Sequence, residues 1–377
     1  MPMHGLRAES ASLRDGGAGW SSTGADYLYV AATTGAHAIK WQSVDLKGPF
    51  LGPLIGDLDG DGQPEMVVCS TFSNASYNSG RILVFDLATL TLRGLSAPVV
   101  NNFAWTGVRD LKLCDLEGDG NMEIILGADY LYNGAIEIYS FSSSNAFTLK
   151  WSNTTRPSGS PFNRVAVADL DGNGTQEIIA ANSVAHTGSE GVYVYIYDYP
   201  SGIDPWKSVL LAPIFNSVNG LVVQDLDRNG SLEIAALVGT GDLYTFDGPT
   251  RELRNLTQDP SYSLLSSQAR PASLIVGDTS GIGHFLRYRN ESYRQSSALS
   301  LGTGTLDGVT STADGLWTGD EGVLKLRRAP SYATVVWESP VVGAGFGRNV
   351  ATDRRSGEKR VFSTSSYSVL GFIYTTQ

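Results

Sequence analysis

The chain has 377 residues, 42% of them hydrophobic, with 38 acidic against 27 basic side chains and a formal charge of −11. A chain of this length can bury a large core, and all-β folds of this size can form one closed unit. No Lys/Arg cluster accompanies the acidity, which excludes an evident nucleic-acid partner, and no run of 18 apolar residues exists for membrane insertion.

Residues 1–25 are rich in Gly, Ser and Ala without periodicity and read as a flexible leader, with residues 26–377 as a single domain. The start, MPMHGLRAES, has no apolar h-region, so no signal peptide is visible. Tyr27–Val44 then reads as two strands and a turn. At Gly56 begins GDLDGDGQPEMVV, a pattern that returns as CDLEGDGNMEIIL from Cys114, ADLDGNGTQEIIA from Ala168 and QDLDRNGSLEIAA from Gln224. The leading aspartates Asp57, Asp115, Asp169 and Asp225 are 58, 54 and 56 residues apart. A fixed motif at a near-fixed period signals a repeat architecture. Each unit reads as strand a, acidic loop, strand b, loop, strand c, turn, strand d.

The acidic loop has the chemistry of an oxygen-rich cation site. Positions 1, 3 and 5 are Asp57, Asp59 and Asp61 in the first copy, and Asp115, Glu117 and Asp119 in the second. They are Asp169, Asp171 and Asn173 in the third, and Asp225, Asp227 and Asn229 in the fourth. Alternate side chains of a tight loop can turn toward one centre. Glycine holds position 6 throughout, where the loop bends sharply and a Cβ is expected to clash. Position 7 varies (Gln63, Asn121, Thr175, Ser231), as suits a backbone carbonyl ligand. Glu65, Glu123, Glu177 and Glu233 close the loops at position 9. Hard oxygen donors in a flexible loop select Ca²⁺ over zinc or copper. An EF-hand places its closing glutamate at position 12 between helices, whereas strands flank these loops. One copy alone would leave an Asp-Gly hairpin turn open as the lesser reading; four copies with the same glutamate argue for about four calcium sites. Four calcium ions would bring the charge from −11 to −3, so the acidity needs no basic partner.

Cys69 and Cys114, the only cysteines, have apolar neighbours and read as two small buried side chains rather than a disulfide. Beyond residue 255 the units decay. Val276-Gly277-Asp278 reads as a fifth loop that keeps only its first aspartate and glycines, a sixth unit near Asp307 has no metal loop, and a last one at Asp353 puts Arg355 and Gly357 where acids stood.

Ser160–Ser183, SPFNRVAVADLDGNGTQEIIAANS, and GFGRNVATD at Gly345–Asp353 resemble the FG-GAP/VCBS repeats of calcium-loop β-propellers, the family that includes the integrin α-chain head. The resemblance covers roughly Tyr27 to the C-terminus. It implies an all-β, seven-bladed β-propeller of four-stranded antiparallel blades, or eight blades if Tyr27–Thr34 starts another. The last unit runs out of chain, so the N-terminal HAIKWQSV, similar to TLKWSN at the end of the second unit, is expected to close the ring.

In an antiparallel meander the acidic loops, all a–b connections, share one rim. The opposite rim carries longer and more individual loops, and those are expected to bind ligand. They offer Tyr77, Asn101, Asn102, Trp105, Tyr130, Tyr132 and His186, aromatic faces and amides suited to sugars or protein side chains. Phe50, Phe103, Phe162 and Phe346 read instead as packing between blades, and Trp41, Trp151 and Trp337 as core on the d strands. Four scattered histidines and no GxSxG, HExxH or phosphate loop leave no catalytic residue to name. The expected function is a calcium-stabilised extracellular or cell-surface binding or adhesion propeller, part of a larger surface or secreted protein, with carbohydrate or protein as ligand. The alternative is a polysaccharide-active lyase or hydrolase with a funnel on the same face.

Overall fold

The computed structural model describes residues 39–376 apart from 44–45, 47–49, 72–79, 101–106, 131–132, 154–156, 158–159, 184–189, 203–204, 268–272, 340–348, 354–359 and 368–369. After β1 (Ile39–Gln42) come β2 (Phe50–Gly56), β3 (Glu65–Ser70), β4 (Arg81–Asp86) and β5 (Leu92–Leu95), paired in that order as blade 1. Blade 2 is β6 (Gly107–Cys114), β7 (Glu123–Tyr130), β8 (Asn133–Phe141) and β9 (Phe147–Ser152). Blade 3 is β10 (Phe162–Ala168), β11 (Glu177–Asn182), β12 (Val194–Asp198) and the short β13 (Trp206–Lys207). Blade 4 is β14 (Val218–Gln224), β15 (Glu233–Val238), β16 (Asp242–Asp247) and β17 (Leu253–Gln258). Blade 5 is β18 (Tyr262–Ser267), β19 (Leu274–Asp278), β20 (Ile282–Arg289) and β21 (Ser292–Ser300). Blade 6 is β22 (Gly308–Thr312), β23 (Gly315–Asp320), β24 (Val323–Arg327) and β25 (Val335–Glu338). The chain ends with β26 (Val350–Asp353), β27 (Arg360–Tyr367) and β28 (Leu370–Thr376), and β1 pairs antiparallel with β28.

The molecule is an all-β propeller of four-stranded antiparallel blades. The expected seven or eight blades are corrected to six, each built from four consecutive strands. The remaining sheet is composite, in the order β26–β27–β28–β1, with its edge supplied by the first strand in the sequence. Tyr27–Thr34 and the leader lie outside the described residues. Among the described residues, no helix is long and apolar enough to cross a membrane.

Burial explains the pattern. Strands β3, β11 and β15 are buried at every position, because the second strand of a blade lies between two neighbouring blades. Their sequences, EMVVCS, EIIAAN and EIAALV, are therefore apolar runs rather than alternations. The apolar clusters sit between adjacent blades: Val67, Cys69 and Val84 with Val108 and Leu126, then Ile125 and Ile138 with Phe162 and Tyr197, then Ile179 and Ile196 with Val218 and Phe246. The first strands touch in sequence, β26 against β2, then β6, β10, β14, β18 and β22. Phe50 and Phe162 are buried between blades as expected, while Phe103 and Phe346 lie outside the described residues. Trp41, Trp151 and Trp337 do stand on outer strands. Cys69 is buried and Cys114 half-buried, both as free thiols.

The reading of the fifth unit is corrected. Asp278 ends β19, the second strand of its blade, so it lies on a b–c turn and not on an a–b loop. Its carboxylate accepts the N–H groups of Ser280 and Ile282 and pairs with His284 Nε2 at 3.0 Å. A Gly-Asp turn of a hairpin and the opening of an acidic loop look alike in sequence; only strand order separates them.

Candidate metal centre

The four acidic loops are the connections β2–β3, β6–β7, β10–β11 and β14–β15, here loops 1 to 4, and the meander places all four on one rim. Their internal hydrogen bonding follows one plan with small variations. The position-1 aspartate accepts two loop N–H groups in loops 1 and 2, from Gly60 and Gly62 to Asp57 at 2.9 and 2.8 Å and from Asp119 and Gly120 to Asp115. It accepts three in loops 3 and 4, from Gly172, Asn173 and Gly174 to Asp169 and from Arg228, Asn229 and Gly230 to Asp225. The position-5 oxygen caps the position-7 N–H: Asp61 with Gln63, Asp119 with Asn121, Asn173 with Thr175, and Asn229 with Ser231.

Two features escaped the sequence reading. The leucine at position 2 (Leu58, Leu116, Leu170, Leu226) is buried and plugs the loop into the core between blades. Its N–H donates to the closing glutamate: Leu58 to Glu65 at 3.0 Å, Leu116 to Glu123 at 2.9 Å, Leu170 to Glu177 at 2.7 Å and Leu226 to Glu233 at 2.6 Å. The signal was present as the invariant second letter of D-L-[DE]. The role of the position-6 glycines is also different from the expected one. A Cβ on Gly62 would meet nothing within 4 Å; the requirement is the backbone, with φ +78°. Crowding applies one turn earlier, where a Cβ on Gly60 would lie 2.3 Å from Asn121 Oδ1 of the neighbouring loop. Loops 1 and 2 also touch through Met122 N–H, which donates to Asp57 O at 2.8 Å.

In loop 4 the position-4 residue is Arg228, held at φ +68°. An L side chain in the left-handed region costs roughly 1–2 kcal/mol. Arg228→Gly is therefore expected to raise stability by about 1 kcal/mol, part of the gain being offset by glycine's greater unfolded entropy. Urea unfolding of the two proteins in chelator checks this; an unchanged or lower midpoint would mean that the Arg228 side chain compensates for its backbone.

Each loop concentrates negative charge, which Arg93 offsets in part in loop 1 and Lys150 in loop 2. The closing glutamates are buried, and burial pushes their carboxyls up from the usual range, against the pull of a backbone N–H and, at Glu65 and Glu123, of Arg93 and Lys150. Glu233, with Asp227 and Asp225 beside it, is pushed up to about 7, first by burial. Carboxylate oxygens of Asp57, Asp59 and Asp61 lie within 4.8 Å of one another, as do those of Asp169, Asp171 and Glu177, and of Asp225, Asp227 and Glu233. Asp59 Oδ1 is buried and accepts no hydrogen bond. Converging anionic oxygens, one of them orphaned, fit a hard divalent cation. In loop 2 no such trio forms: Glu117 turns outward to Lys150 and accepts the Tyr199 hydroxyl at 3.0 Å.

Of the expected ligand residues, Tyr77, Asn101, Asn102, Trp105, Tyr132 and His186 lie outside the described residues. Tyr130 does not sit on a free loop: it is the last residue of β7, paired with Asn133 and packed half-buried on the core between blades 1 and 2. The hairpin there is too short to release it.

A family profile described as FG-GAP-like repeat matches residues 115–180, which span loop 2 through loop 3. No curated protein matches the sequence. Among solved structures, the chain is similar to BBS1N in a complex with ARL6DN, with a TM-score of 0.60 and 11% identity over 91% of this chain and 96% of that one. It is also similar to a europium-containing methanol dehydrogenase (TM-score 0.57, 11% identity, 90% and 93% covered) and to the Dos1 propeller (0.54, 10%, 90% and 81%). These likenesses are of fold.

Proposed function

The chain is a β-propeller of the FG-GAP-repeat family, and from that premise we propose that it is a calcium-stabilised binding or adhesion module acting outside the cell or at its surface. The observation that carries the calcium part is the orphaned, buried Oδ1 of Asp59 among converging carboxylates, in a loop whose hydrogen-bonding plan recurs three more times. When bound, the ion supplies positive charge to oxygens that burial otherwise penalises. The protein's share is positional. Asp57, Asp169 and Asp225 curl the loops, the leucine plugs fix their depth, and the glutamates close them from the start of the second strand. Metal analysis of protein dialysed against calcium tests this: about four equivalents are expected, and none would refute it. In the same reading the composite sheet closes the ring.

Ligand recognition is assigned to the opposite rim. Strand side chains there are committed to packing between blades, so the b–c and d–a loops are the segments free to vary. Asn101, Asn102 and Trp105 fall in sequence between β5 and β6. An aromatic face stacks on a sugar ring or anchors a protein side chain, and amides bond hydroxyls. Trp105→Ala is expected to weaken ligand binding at least tenfold while leaving the calcium-dependent melting shift intact, an effect of one good aromatic contact. A glycan array, with an assay for released sugar ends, supplies the ligand; a substitution that lowers stability and spares binding would remove Trp105 from the site.

A further inference from the structure

We propose, resting on the calcium reading above, that the four loops are of two kinds: loops 1 and 2 carry a built-in protein cation that takes over part of the metal's role, whereas loops 3 and 4 depend on calcium alone. The cation comes from the outer strand of the same blade. In blade 1 the pairing of β4 with β5 shifts register between Val84 and Phe85, and Arg93 is the extra residue of that bulge. Its guanidinium bonds Glu65 Oε1 at 2.6 Å and Asp59 Oδ2 at 2.7 Å, while its Nε donates to Asn145 at 3.0 Å and the ring of Phe141 lies beneath it. In blade 2 the β8–β9 register shifts at the same place, between Ile138 and Tyr139, and the extra residue is Lys150. Its ammonium pairs with Glu117 and stands 3.7 Å from Glu123 Oε1.

Blades 3 and 4 lack the device. Strand β13 is two residues long and has no bulge, and the bulge cation of blade 4, Arg254, turns to Asp247, Glu252 and Glu291. Among the described residues, no basic side chain pairs with Asp169, Asp171, Glu177, Asp225, Asp227 or Glu233. The charge count follows the same division. Loops 1 and 2 have four carboxylates each, and one outer-strand cation apiece leaves them with the three negative charges that loop 3 carries from three carboxylates, while loop 4 has three carboxylates and Arg228 within the loop itself. The composite sheet shows the limiting case. Arg360 opens β27 where Glu65 opens β3, and it binds Asp353 at 2.6 Å and the carbonyl of Leu87 at 2.8 Å. There the closing acid itself has become the cation.

A charge placed beside the site both holds the closing glutamate in the absence of metal and repels a divalent ion. Two measurements on the full-length chain test the proposal. In chelator, hydrogen exchange of the wild-type protein is expected to lose protection at β10–β11 and β14–β15 while β2–β3 and β6–β7 keep theirs. In calorimetric titration with calcium chloride, Arg93→Gln is expected to tighten one site by about tenfold or more, the scale Coulomb's law assigns to one charge beside a divalent ion near solvent. The same variant should make protection of β2–β3 calcium-dependent, and Lys150→Gln should do so for β6–β7. Equal loss of protection at all four loops, or calcium binding by Arg93→Gln that is unchanged or weaker, would overturn it while leaving the calcium reading in place. Wild-type protein that binds no calcium at all would remove both.

Discussion

Transfer of the calcium-loaded protein into chelator is expected to lower its melting temperature by about 7 °C. A ligand that binds only the folded state stabilises it by RT ln(1 + [L]/Kd), about 1.4 kcal/mol for each site when calcium is about tenfold above Kd. Four sites then contribute roughly 5–6 kcal/mol, comparable with the whole margin of many domains. Divided by an unfolding entropy of about 2.1 cal/mol/K per residue over a chain of this length, that gives the stated shift. Asp169→Ala should shrink the difference between calcium and chelator by about a quarter. The difference is the proper readout, because Asp169 also accepts the N–H groups of Gly172 and Gly174 and its loss weakens the metal-free loop too. Identical melting curves in calcium and chelator would refute a structural role for the ion.

The second large effect is expected from the leucine plugs. Leu226 is fully buried, packed among Val222, Leu237, Leu274 and Tyr288 between blades 4 and 5. Leu226→Ala removes a whole buried side chain and should cost about 2–5 kcal/mol, depending on how far the site collapses. Most of that cost should appear equally in calcium and in chelator, since it is core packing. A further part should appear only in calcium, because the Leu226 N–H that bonds Glu233 is held by this anchor. Leu226→Met, which nearly conserves volume, should cost under about 1.5 kcal/mol and restore calcium binding. Denaturant unfolding in both conditions checks this. A loss below about 1 kcal/mol for the alanine variant would show that the loop is seated by other contacts.

The loop N–H groups and the left-handed glycines share one property: each acts within the nine residues of its own loop. That locality is why the acidic loops and their repeat could be read from the amino-acid sequence by itself. Asp57 and Glu65 are eight residues apart in any fold that makes the turn, and a four-times repeated unit with apolar flanking runs leaves a propeller-like stacking as the way to bury both faces of the second strand. The rim on which the loops lie also followed, because an antiparallel meander alternates its connections.

Tertiary structure alone decided the rest, because it depends on which distant residues share a blade. Arg93 reaches Asp59 across 34 residues only because the fourth strand folds back along the third with a one-residue bulge, and nothing in the letters around Arg93 marks it as the partner of an acid. Asp278 looked like a decayed loop and proved to be a hairpin turn, since Gly and Asp serve both purposes and strand order is not written in either. The make-up of the last sheet depended on which end of the chain supplies its edge strand, and Thr376 pairs with Ile39 across the full span of the described residues. Tyr130 passed from loop to strand for the same reason: the length of a hairpin is fixed by the pairing of its two sides, here Tyr130 with Asn133, and not by the residues at its tip.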